Sequence, residues 1–534
     1  MRRDPQITSV PSRPGLPAGA CVIGKSLWSP DLGRRQVATA GTYATFRIAF
    51  KNDSGKTLKA IAPVFSNHYK TGATEYYTGN AIRVKFAVEI PSAKQTTVVR
   101  QTVTKGTFSG QRTALCDQYL IGDPMKVNIP DGTVYYLVVG VTVDTNNHYY
   151  PYGSSVAGGT NYYGIDNGEA QDTSNDVVDS GAMTAAVGAP IFAPMCMLGW
   201  FADGTTVNSW CAMGDSIVQG TGDDGFYDSI PLYGGPNKGG WAVRIAMGKT
   251  YGFSKGSFGS EKFSHLAAFL TAAPFTSTRC QVAAMHSHVL LAYGTNDLAD
   301  GLTTMKLNAK KVAAWFLAQG CKVGLPTVLP QPSSSNGFID YAGQTADTGT
   351  AFSNTAVRLA YNAWLRDTSA SGAKQTIEDY CVTTYGTLPA SLTVLDVCAG
   401  YEYNASGVLT LDGGYIYATG ITNIKGSTAA AAGTDNNTIK GALLTADLYQ
   451  GYTVVMTSGA SSGHAMTVQY NNTTDIELGS SFGDTIASGD TYVINDACGQ
   501  GTQDSSPQCL HPSSKGHAKI AAGNDSIFAN WLAS

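Results

Sequence analysis

A serine, an asparagine and a histidine follow one another along the chain in short polar blocks, and their types could support nucleophilic chemistry on a carbonyl group. Ser216 ends a Gly-Asp-Ser block, Asn296 lies in a Gly-Thr-Asn-Asp block, and His511 precedes a proline. A serine hydroxyl is a weak nucleophile at neutral pH, so a base must take its proton as it attacks, and His511 is the candidate base. The amide of Asn296 could donate a hydrogen bond to the oxyanion that develops.

Two apolar runs are placed to deliver the serine and the asparagine. Residues 207–213 form a short, mostly apolar run that ends at the Gly-Asp-Ser block, and residues 286–293 end directly at the second block. Such runs are typical of buried strands. Since ligands bind at the carboxyl ends of the strands in an open α/β sheet, we expect Ser216 and Asn296 to meet at that edge.

The segment after the asparagine block continues the alternation of helix and strand. Patterns predict a helix over 306–319, a strand over 322–329, a helix capped by Ser353 and a strand over 392–397. Alternating strands and helices are typical of a doubly wound parallel sheet. We therefore predict an α/β fold with three layers, α/β/α.

Together the blocks resemble those of the SGNH (GDSL) hydrolase superfamily, whose members cleave esters through a serine nucleophile. The resemblance implies Ser216 as nucleophile, His511 as base, and the same three-layer α/β/α fold. It also implies an oxyanion hole made by the backbone N–H groups of Ser216 and Gly259 and the side chain of Asn296. Gly259 is placed by residues 254–259, which resemble the family's Asn-x-Gly-x-x-Gly with Ser254 in the asparagine position.

The third block departs from the family pattern. The family has an aspartate three residues before the histidine, but this chain has Gln508 there. A glutamine can accept a hydrogen bond from the imidazole but cannot supply the charge that stabilises an imidazolium. Asp504 could serve instead if the chain turns back after it. Alternatively, a backbone carbonyl orients His511 in a serine–histidine dyad, and both alternatives stay open.

Other histidines are better explained by packing. His517 begins a predicted helix whose apolar residues fall on one face. His286 and His288 share one face of a strand, but no acidic or cysteine cluster accompanies them at ligand spacing. We therefore expect no metal site and no other cofactor.

The flanking sequence predicts further β-rich units. Residues 45–50 and 82–90 alternate between apolar and polar side chains, which predicts an N-terminal β-sandwich domain over residues 1–195. Within it, residues 145–190 are rich in Gly, Asn, Ser and Tyr, which predicts a long loop or linker. The hydrolase domain would occupy 196–402 and resume at 496–534, interrupted by a small inserted β domain at 403–495. Part of that insert resembles small β modules of phage tail proteins, and it could position a glycan or be an inert decoration.

Composition narrows the function classes. The chain has 534 residues, a net charge of −4, and only 14% charged residues, which argues against a nucleic-acid partner. No apolar run approaches the ~18 residues that span a bilayer, and no leader is visible at the amino terminus. We expect an extracellular protein, either secreted or part of a phage particle.

Of the ten cysteines, most are expected to be buried thiols, although Cys498 and Cys509 could form a disulfide beside His511.

Two functions from different classes remain open at this stage. The first is an esterase that removes acetyl or other short acyl groups, with an acylated carbohydrate or a small ester as substrate. A lipase that acts on long chains is a less favoured variant, because no long apolar lid is visible. The second is a non-catalytic glycan-binding protein or virion appendage built on a hydrolase scaffold, which the glutamine at position 508 favours. The sequence does not indicate an oligomeric state.

Overall fold

The structure of the protein is a computed structural model. It describes residues 16–26, 33–40, 43–91, 98–108, 119–153, 171–173, 192–221, 223, 239–247, 249–271, 277–334, 344–346, 354–398, 423–428, 438–440, 449, 452–462, 464–478, 484, 486–495, 499–500, 511–512 and 514–534. Asp504, Gln508, Ser353, Cys498 and Cys509 lie outside the described residues.

The first fifteen strands that the structure describes comprise those of the amino-terminal part and the strand that follows residue 195, and all of them except Lys25–Ser26 pair antiparallel. They are β1 (Cys21–Ile23), β2 (Lys25–Ser26), β3 (Gly33–Val37), β4 (Tyr43–Lys51), β5 (Leu58–Ser66), β6 (His68–Thr71), β7 (Thr74–Tyr77), β8 (Ile82–Pro91), β9 (Val98–Phe108), β10 (Tyr119–Ile121), β11 (Met125–Ile129), β12 (Val134–Thr142), β13 (His148–Tyr152), β14 (Gln171–Thr173) and β15 (Cys196–Phe201).

Most of these strands form two sheets that share a core. One sheet has the order β1-β15-β5-β10, with β11 also paired to β5, and the other has the order β14-β4-β12-β8-β9. On β4, Phe46, Ile48 and Phe50 are buried, as the alternation along residues 45–50 predicts. The rings of Phe65 on β5 and Phe86 on β8 lie 5.9 Å apart between centroids, so the sheets contact each other.

The central part alternates strands and helices. Its strands are β16 (Ser209–Gly214), β17 (Gly252–Lys255), β18 (His288–Ala292), β19 (Lys322–Pro326), β20 (Pro332–Ser334), β21 (Gln344–Ala346) and β22 (Leu392–Leu395). Its helices are α1 (Ser216–Gln219), α2 (Trp241–Met247), α3 (Phe263–Thr271), α4 (Thr278–Ala283), a 3₁₀ helix (Asn296–Asp300), α5 (Leu302–Ala318), α6 (Thr355–Arg366), α7 (Ala373–Tyr385) and, near the carboxyl terminus, α8 (Ser514–Ala533). The α6 cap is Asn354, whose side chain accepts from the Val357 N–H at 3.2 Å.

A parallel sheet forms the centre of this part, with the strand order β2-β17-β16-β18-β19-β22. Alternate residues of β16 enter different hydrophobic clusters, because successive side chains of a strand point to opposite faces. Trp210 packs with Phe528 of α8, while Met213 belongs to the cluster that contains α3 and α5. The two faces of β16 therefore share hydrophobic clusters with different helices.

The strand pairing crosses the boundary expected between residues 195 and 196. The edge strand β2 pairs with β17 in the parallel sheet, whereas β15 pairs with β1 and β5 in an amino-terminal sheet. Each of the two parts thus contributes a strand to the other.

The insert forms a further antiparallel sheet. Its strands are β23 (Asn423–Thr428), β24 (Thr438–Lys440), β25 (Thr453–Met456), β26 (Ala465–Asn471), β27 (Asp475–Leu478) and β28 (Thr491–Asn495). The order is β23-β28-β25-β26-β27-β24, around a small core of its own that includes Val454, Met466 and Ile494. Strand β29 (Gly499–Gln500) follows, contacts β26, and pairs with β30 (His511–Pro512).

Within the described ranges, seven cysteines carry buried thiols: Cys21, Cys196, Cys211, Cys280, Cys321, Cys381 and Cys398. In the same ranges, none of the helices combines the length and the apolar character needed to cross a membrane.

Candidate active site

Ser216 stands at the turn between β16 and α1, and each residue of its block has a local role. The side chain of Asp215 accepts from the Ile217 N–H at 2.9 Å and so caps α1. A Cβ on Gly214 would lie 2.6 Å from Val218 Cγ2 and 2.8 Å from the Ala292 carbonyl oxygen. Only glycine therefore lets β16 approach β18 so closely at the point where the serine emerges.

His511 contacts the serine directly. Its Nε2 lies 2.8 Å from Ser216 Oγ, although the two residues are 295 positions apart in the sequence. Burial, with a smaller effect of the neighbouring His517, lowers the pKa of His511 to about 4. The imidazole is therefore neutral at neutral pH, and a neutral Nε2 can accept the proton of the serine hydroxyl.

His517 has both ring nitrogens bonded to backbone groups. Its Nδ1 accepts from the Trp241 N–H at 3.1 Å, and its Nε2 donates to the Thr221 carbonyl at 3.1 Å. These bonds tie the first turn of α8 to α2 and to the segment after α1. His517 thus holds the helix that follows His511, in line with its interpretation as a helix residue.

The loop that carries Gly259 runs beside the serine turn. The Gly256 N–H donates to the Ala212 carbonyl at 2.9 Å, and the Phe258 N–H donates to the Gly214 carbonyl at 2.9 Å. A Cβ built on Gly259 would lie 3.7 Å from Ser216 Cβ. The structure therefore brings Gly259 next to Ser216.

Asn296 follows β18 and is bonded to the Gly259 loop. The turn before it depends on Gly294, whose φ of +128° suits glycine and where a Cβ would lie 2.4 Å from Val328 Cγ2. Asn296 Nδ2 donates to the Glu261 carbonyl at 3.1 Å. The amide carries two hydrogens, and this contact uses one. The loops of the two expected oxyanion donors are thus bonded to each other.

Two buried carboxyl groups lie behind these turns. Burial raises the pKa of Asp215 to about 7, and it raises that of Asp297 to about 7 as well, with each carboxylate opposing the charge of other acids nearby. Asp297 accepts from the Phe263 N–H at 3.0 Å, as Asp215 does from Ile217. Both side chains hold backbone of the site in place.

The other two conspicuous histidines are engaged in local contacts. His286 Nε2 lies 2.8 Å from Ser254 Oγ, and His288 Nδ1 lies 2.8 Å from Ser287 Oγ. Over the described parts of the chain, no three His, Cys, Asp or Glu side chains gather as a set that could hold a metal ion.

Two residues of the amino-terminal part also reach the site, and sequence reasoning missed them. Lys70 Nζ would lie 3.2 Å from a Cβ on Gly259, and Glu75 is buried against α4. Both lie on the hairpin of β6 and β7. The only sequence signal is a strand-like segment with charged residues, which is too common to indicate a site.

No family model matches this chain, and no curated protein matches it. Solved structures similar to it include a family two carbohydrate esterase from Cellvibrio japonicus, with a TM-score of 0.24 and 8% identity over 73% of this chain and 89% of that one. A family two carbohydrate esterase from Clostridium thermocellum has a TM-score of 0.22 and 10% identity over 71% and 89%. A GDSL-like lipase from Bacteroides thetaiotaomicron has a TM-score of 0.23 and 16% identity, over 40% of this chain and 80% of that one. At such low scores these likenesses carry no argument, so the proposal below depends on the site itself.

Proposed function

We propose that this protein is a serine esterase of the SGNH type that removes short acyl groups, acetyl foremost, from carbohydrate. The observation that carries the proposal is the contact between His511 Nε2 and Ser216 Oγ at 2.8 Å. A neutral imidazole in hydrogen-bond reach of a serine hydroxyl is the arrangement that nucleophilic catalysis requires. The Gly259 loop is hydrogen-bonded to β16 through the Gly214 carbonyl, and Asn296 is hydrogen-bonded to the same loop, which supports the oxyanion donors that the resemblance implies.

In the first half of the reaction, Ser216 Oγ attacks the carbonyl carbon of the ester and His511 Nε2 takes the hydroxyl proton. The oxyanion accepts hydrogen bonds from the backbone N–H groups of Ser216 and Gly259 and from the side chain of Asn296. His511 then gives its proton to the leaving alcohol oxygen as the ester bond breaks, which leaves an acyl-serine.

In the second half, water replaces the alcohol. His511 takes a proton from the water as it attacks the acyl-serine, and returns that proton to Ser216 Oγ as the acid product leaves. The group that orients His511 through Nδ1 is either Asp504 or a backbone carbonyl. A carboxylate there would stabilise the imidazolium formed in each half.

The surrounding architecture fits a catalytic unit with accessory β structure. We assign the parallel sheet and its helices to a three-layer α/β/α SGNH fold, over 196–402 and 496–534, and the two amino-terminal sheets to a β-sandwich over 1–195. The insert at 403–495 neighbours the strand pair that carries His511, where it could hold a polymer. Its likeness to phage tail modules and an extracellular location stay predictions.

A test of the function compares wild type with Ser216→Ala on p-nitrophenyl acetate, longer p-nitrophenyl esters and acetylated polysaccharides. We expect hydrolysis of the short ester to fall by about 10⁴-fold or more, because the nucleophile is lost. Ser371→Ala, which changes an exposed serine in the loop before α7, is the matched control and should act like wild type.

The outcome separates the two function classes. Absence of any Ser216-dependent release of acid from every ester would overturn the esterase proposal. Retained binding of a polysaccharide in that case would favour the glycan-binding alternative, which the glutamine at position 508 supports.

A further inference from the structure

The hairpin of β6 and β7 turns one face toward the candidate active site. Its register pairs Lys70 with Glu75 and Tyr69 with Tyr76. Paired residues share a face, and neighbours along a strand alternate. Lys70 and Glu75 therefore face the Gly259 loop and α4, while Tyr69 and Tyr76 occupy the opposite face, with their ring centroids 6.2 Å apart.

Glu75 holds the start of α4. Its carboxylate accepts from the Ser277 hydroxyl at 2.8 Å and from the Thr278 N–H at 2.9 Å. Ser277 is itself the cap of that helix, because its side chain accepts from the Cys280 N–H at 3.1 Å. The buried carboxylate of Glu75, in the amino-terminal part, thus accepts hydrogen bonds from the Ser277 hydroxyl and the Thr278 N–H of the central part.

Arg279, in the first turn of α4, grips the Gly259 loop. It forms a fully buried, two-pronged ion pair with Glu261 and donates to the Gly256 carbonyl at 2.5 Å. Its guanidinium carbon lies 3.9 Å from the ring centroid of Phe258. The Arg279 side chain therefore contacts three residues that flank Gly259, namely Gly256, Phe258 and Glu261.

Glu261 extends the same network to the second expected donor. Its backbone carbonyl accepts from Asn296 Nδ2 at 3.1 Å, and its carboxylate accepts from the Tyr293 hydroxyl at 2.8 Å. Glu75 Oε2 also lies 3.6 Å from Arg279 Nε. One continuous set of buried contacts thus runs from the hairpin to both the Gly259 loop and the Asn296 turn.

We propose that Glu75 is a positioning residue of the active site, which acts through α4 and Arg279 to hold Gly259 and Asn296 in the geometry that the oxyanion requires. Buried donors that lose their acceptor are costly, so the hydrogen bonds of Glu75 with Ser277 and Thr278 favour one arrangement of α4 and of Arg279. Because oxyanion stabilisation depends on donors already in place, small shifts of this loop reduce turnover. The inference rests on the proposed function.

The experiment uses three substitutions of Glu75 and one control in the full chain. Glu75→Ala removes the carboxylate, Glu75→Gln keeps its length without its charge, and Glu75→Asp keeps its charge on a shorter side chain. The control is Asp53→Ala. Asp53 pairs at 2.7 Å with the buried Lys25, which also donates to the carbonyls of Lys249 and Tyr251. That contact also joins the two parts, at the end of β17 away from the Gly259 loop.

For Glu75→Ala we expect kcat on p-nitrophenyl acetate to fall about tenfold to a hundredfold, somewhat less than the loss of a whole oxyanion donor, with KM within about twofold. Glu75→Gln should recover most of that loss, because an amide oxygen of the same reach can still accept from the Thr278 N–H. Glu75→Asp should recover less, since its carboxylate falls short of Ser277. Asp53→Ala should lower the unfolding temperature and leave kcat unchanged.

A second measurement does not depend on activity. Hydrogen exchange over residues 256–261 should speed up in Glu75→Ala and not in Asp53→Ala, compared at equal distance from each protein's unfolding temperature. Unchanged kcat together with unchanged exchange in the folded Glu75 variants would overturn the inference. If Glu75→Ala does not fold, a higher kcat in Glu75→Asp than in Glu75→Gln would overturn it as well. A wild type without esterase activity would defeat the proposed function, and the exchange result would then decide the inference alone.

Discussion

At the scale of single residues, the central fact is a histidine that stays neutral beside a serine. His511 is half-buried beside Ser216. The desolvation of its ring makes the charged form costly, which lowers its pKa to about 4. A base with a low pKa is already unprotonated at neutral pH. It is, however, a weaker base than an ordinary imidazole, unless an anion near Nδ1 stabilises the imidazolium during the reaction.

The pH dependence of kcat/KM tests this environment. Protonated His511 cannot accept the serine proton, so activity should be constant near neutrality and fall about tenfold per pH unit below the pKa of the free enzyme. With the lowered pKa, we expect the acid limb to be centred near pH 4. A limb between about pH 6 and 7 would contradict this prediction and would indicate a carboxylate partner such as Asp504. In that case, Asp504→Asn should move the limb to lower pH.

Asn296 is the second residue whose role can be isolated. If its amide meets the oxyanion, Asn296→Ala should lower kcat about a hundredfold to a thousandfold and leave KM nearly unchanged, because the contact forms only in the transition state. Initial rates on p-nitrophenyl acetate measure this effect. Asn208→Ala removes a comparable amide that donates to the Leu532 carbonyl at 2.7 Å at the far end of α8, and it should leave kcat alone. Normal turnover in Asn296→Ala would show that the oxyanion has other donors.

At the scale of elements, β16 shows how the sequence builds the site. Its residues alternate between the two faces of a parallel sheet, and such sheets are stable only when other elements cover both faces. The position of Ser216 at the end of β16 therefore depends on packing on both sides of the strand. The centroid of the Trp210 ring lies 4.6 Å from the ring centroid of Phe253 and 5.7 Å from that of Phe528. The same side chain thus joins β16 to β17 and to α8, the helix that follows His511.

Trp210→Ala should therefore destabilise the fold strongly. The substitution removes a fully buried ring from a packed cluster, and such changes cost about 3–5 kcal/mol because a cavity remains. Urea unfolding followed by circular dichroism measures the difference in the free energy of unfolding. Leu307→Ala, at a side chain that is 45% exposed on α5, should change it by less than about 1 kcal/mol. Equal losses in the two variants would contradict this account of the core.

At the scale of the whole molecule, the amino-terminal part and the central part are built together. They exchange the strands β2 and β15. One continuous cluster of buried side chains runs from Phe46 and Phe65 through Trp210 to Phe528. In addition to this apolar cluster, Glu75 on the hairpin of β6 and β7 makes polar contacts with Ser277 and Thr278 of the central part. Buried contacts thus connect the amino-terminal part to the neighbourhood of the candidate site.

The sequence by itself determined the local elements of this protein. The apolar runs at 207–213 and 286–293 correspond to β16 and β18, the helix expected over 306–319 is α5, and the alternating strands near residue 46 bury the expected face. These features depend on side chains close together in the chain, so periodicity and turn residues are enough to indicate them. The order of the polar blocks likewise indicated Ser216 and His511 together.

Only the tertiary structure decided which distant residues meet. The contact of His511 with Ser216 spans 295 positions and depends on the packing of α8 against β16. The arrival of Glu75 at α4 spans 203 positions and left no pattern in the sequence. Strands β2 and β15 pair across the boundary that the sequence patterns predict at residue 195. Such contacts are selected by the combined packing and burial of the whole chain, and no short stretch of sequence carries that information.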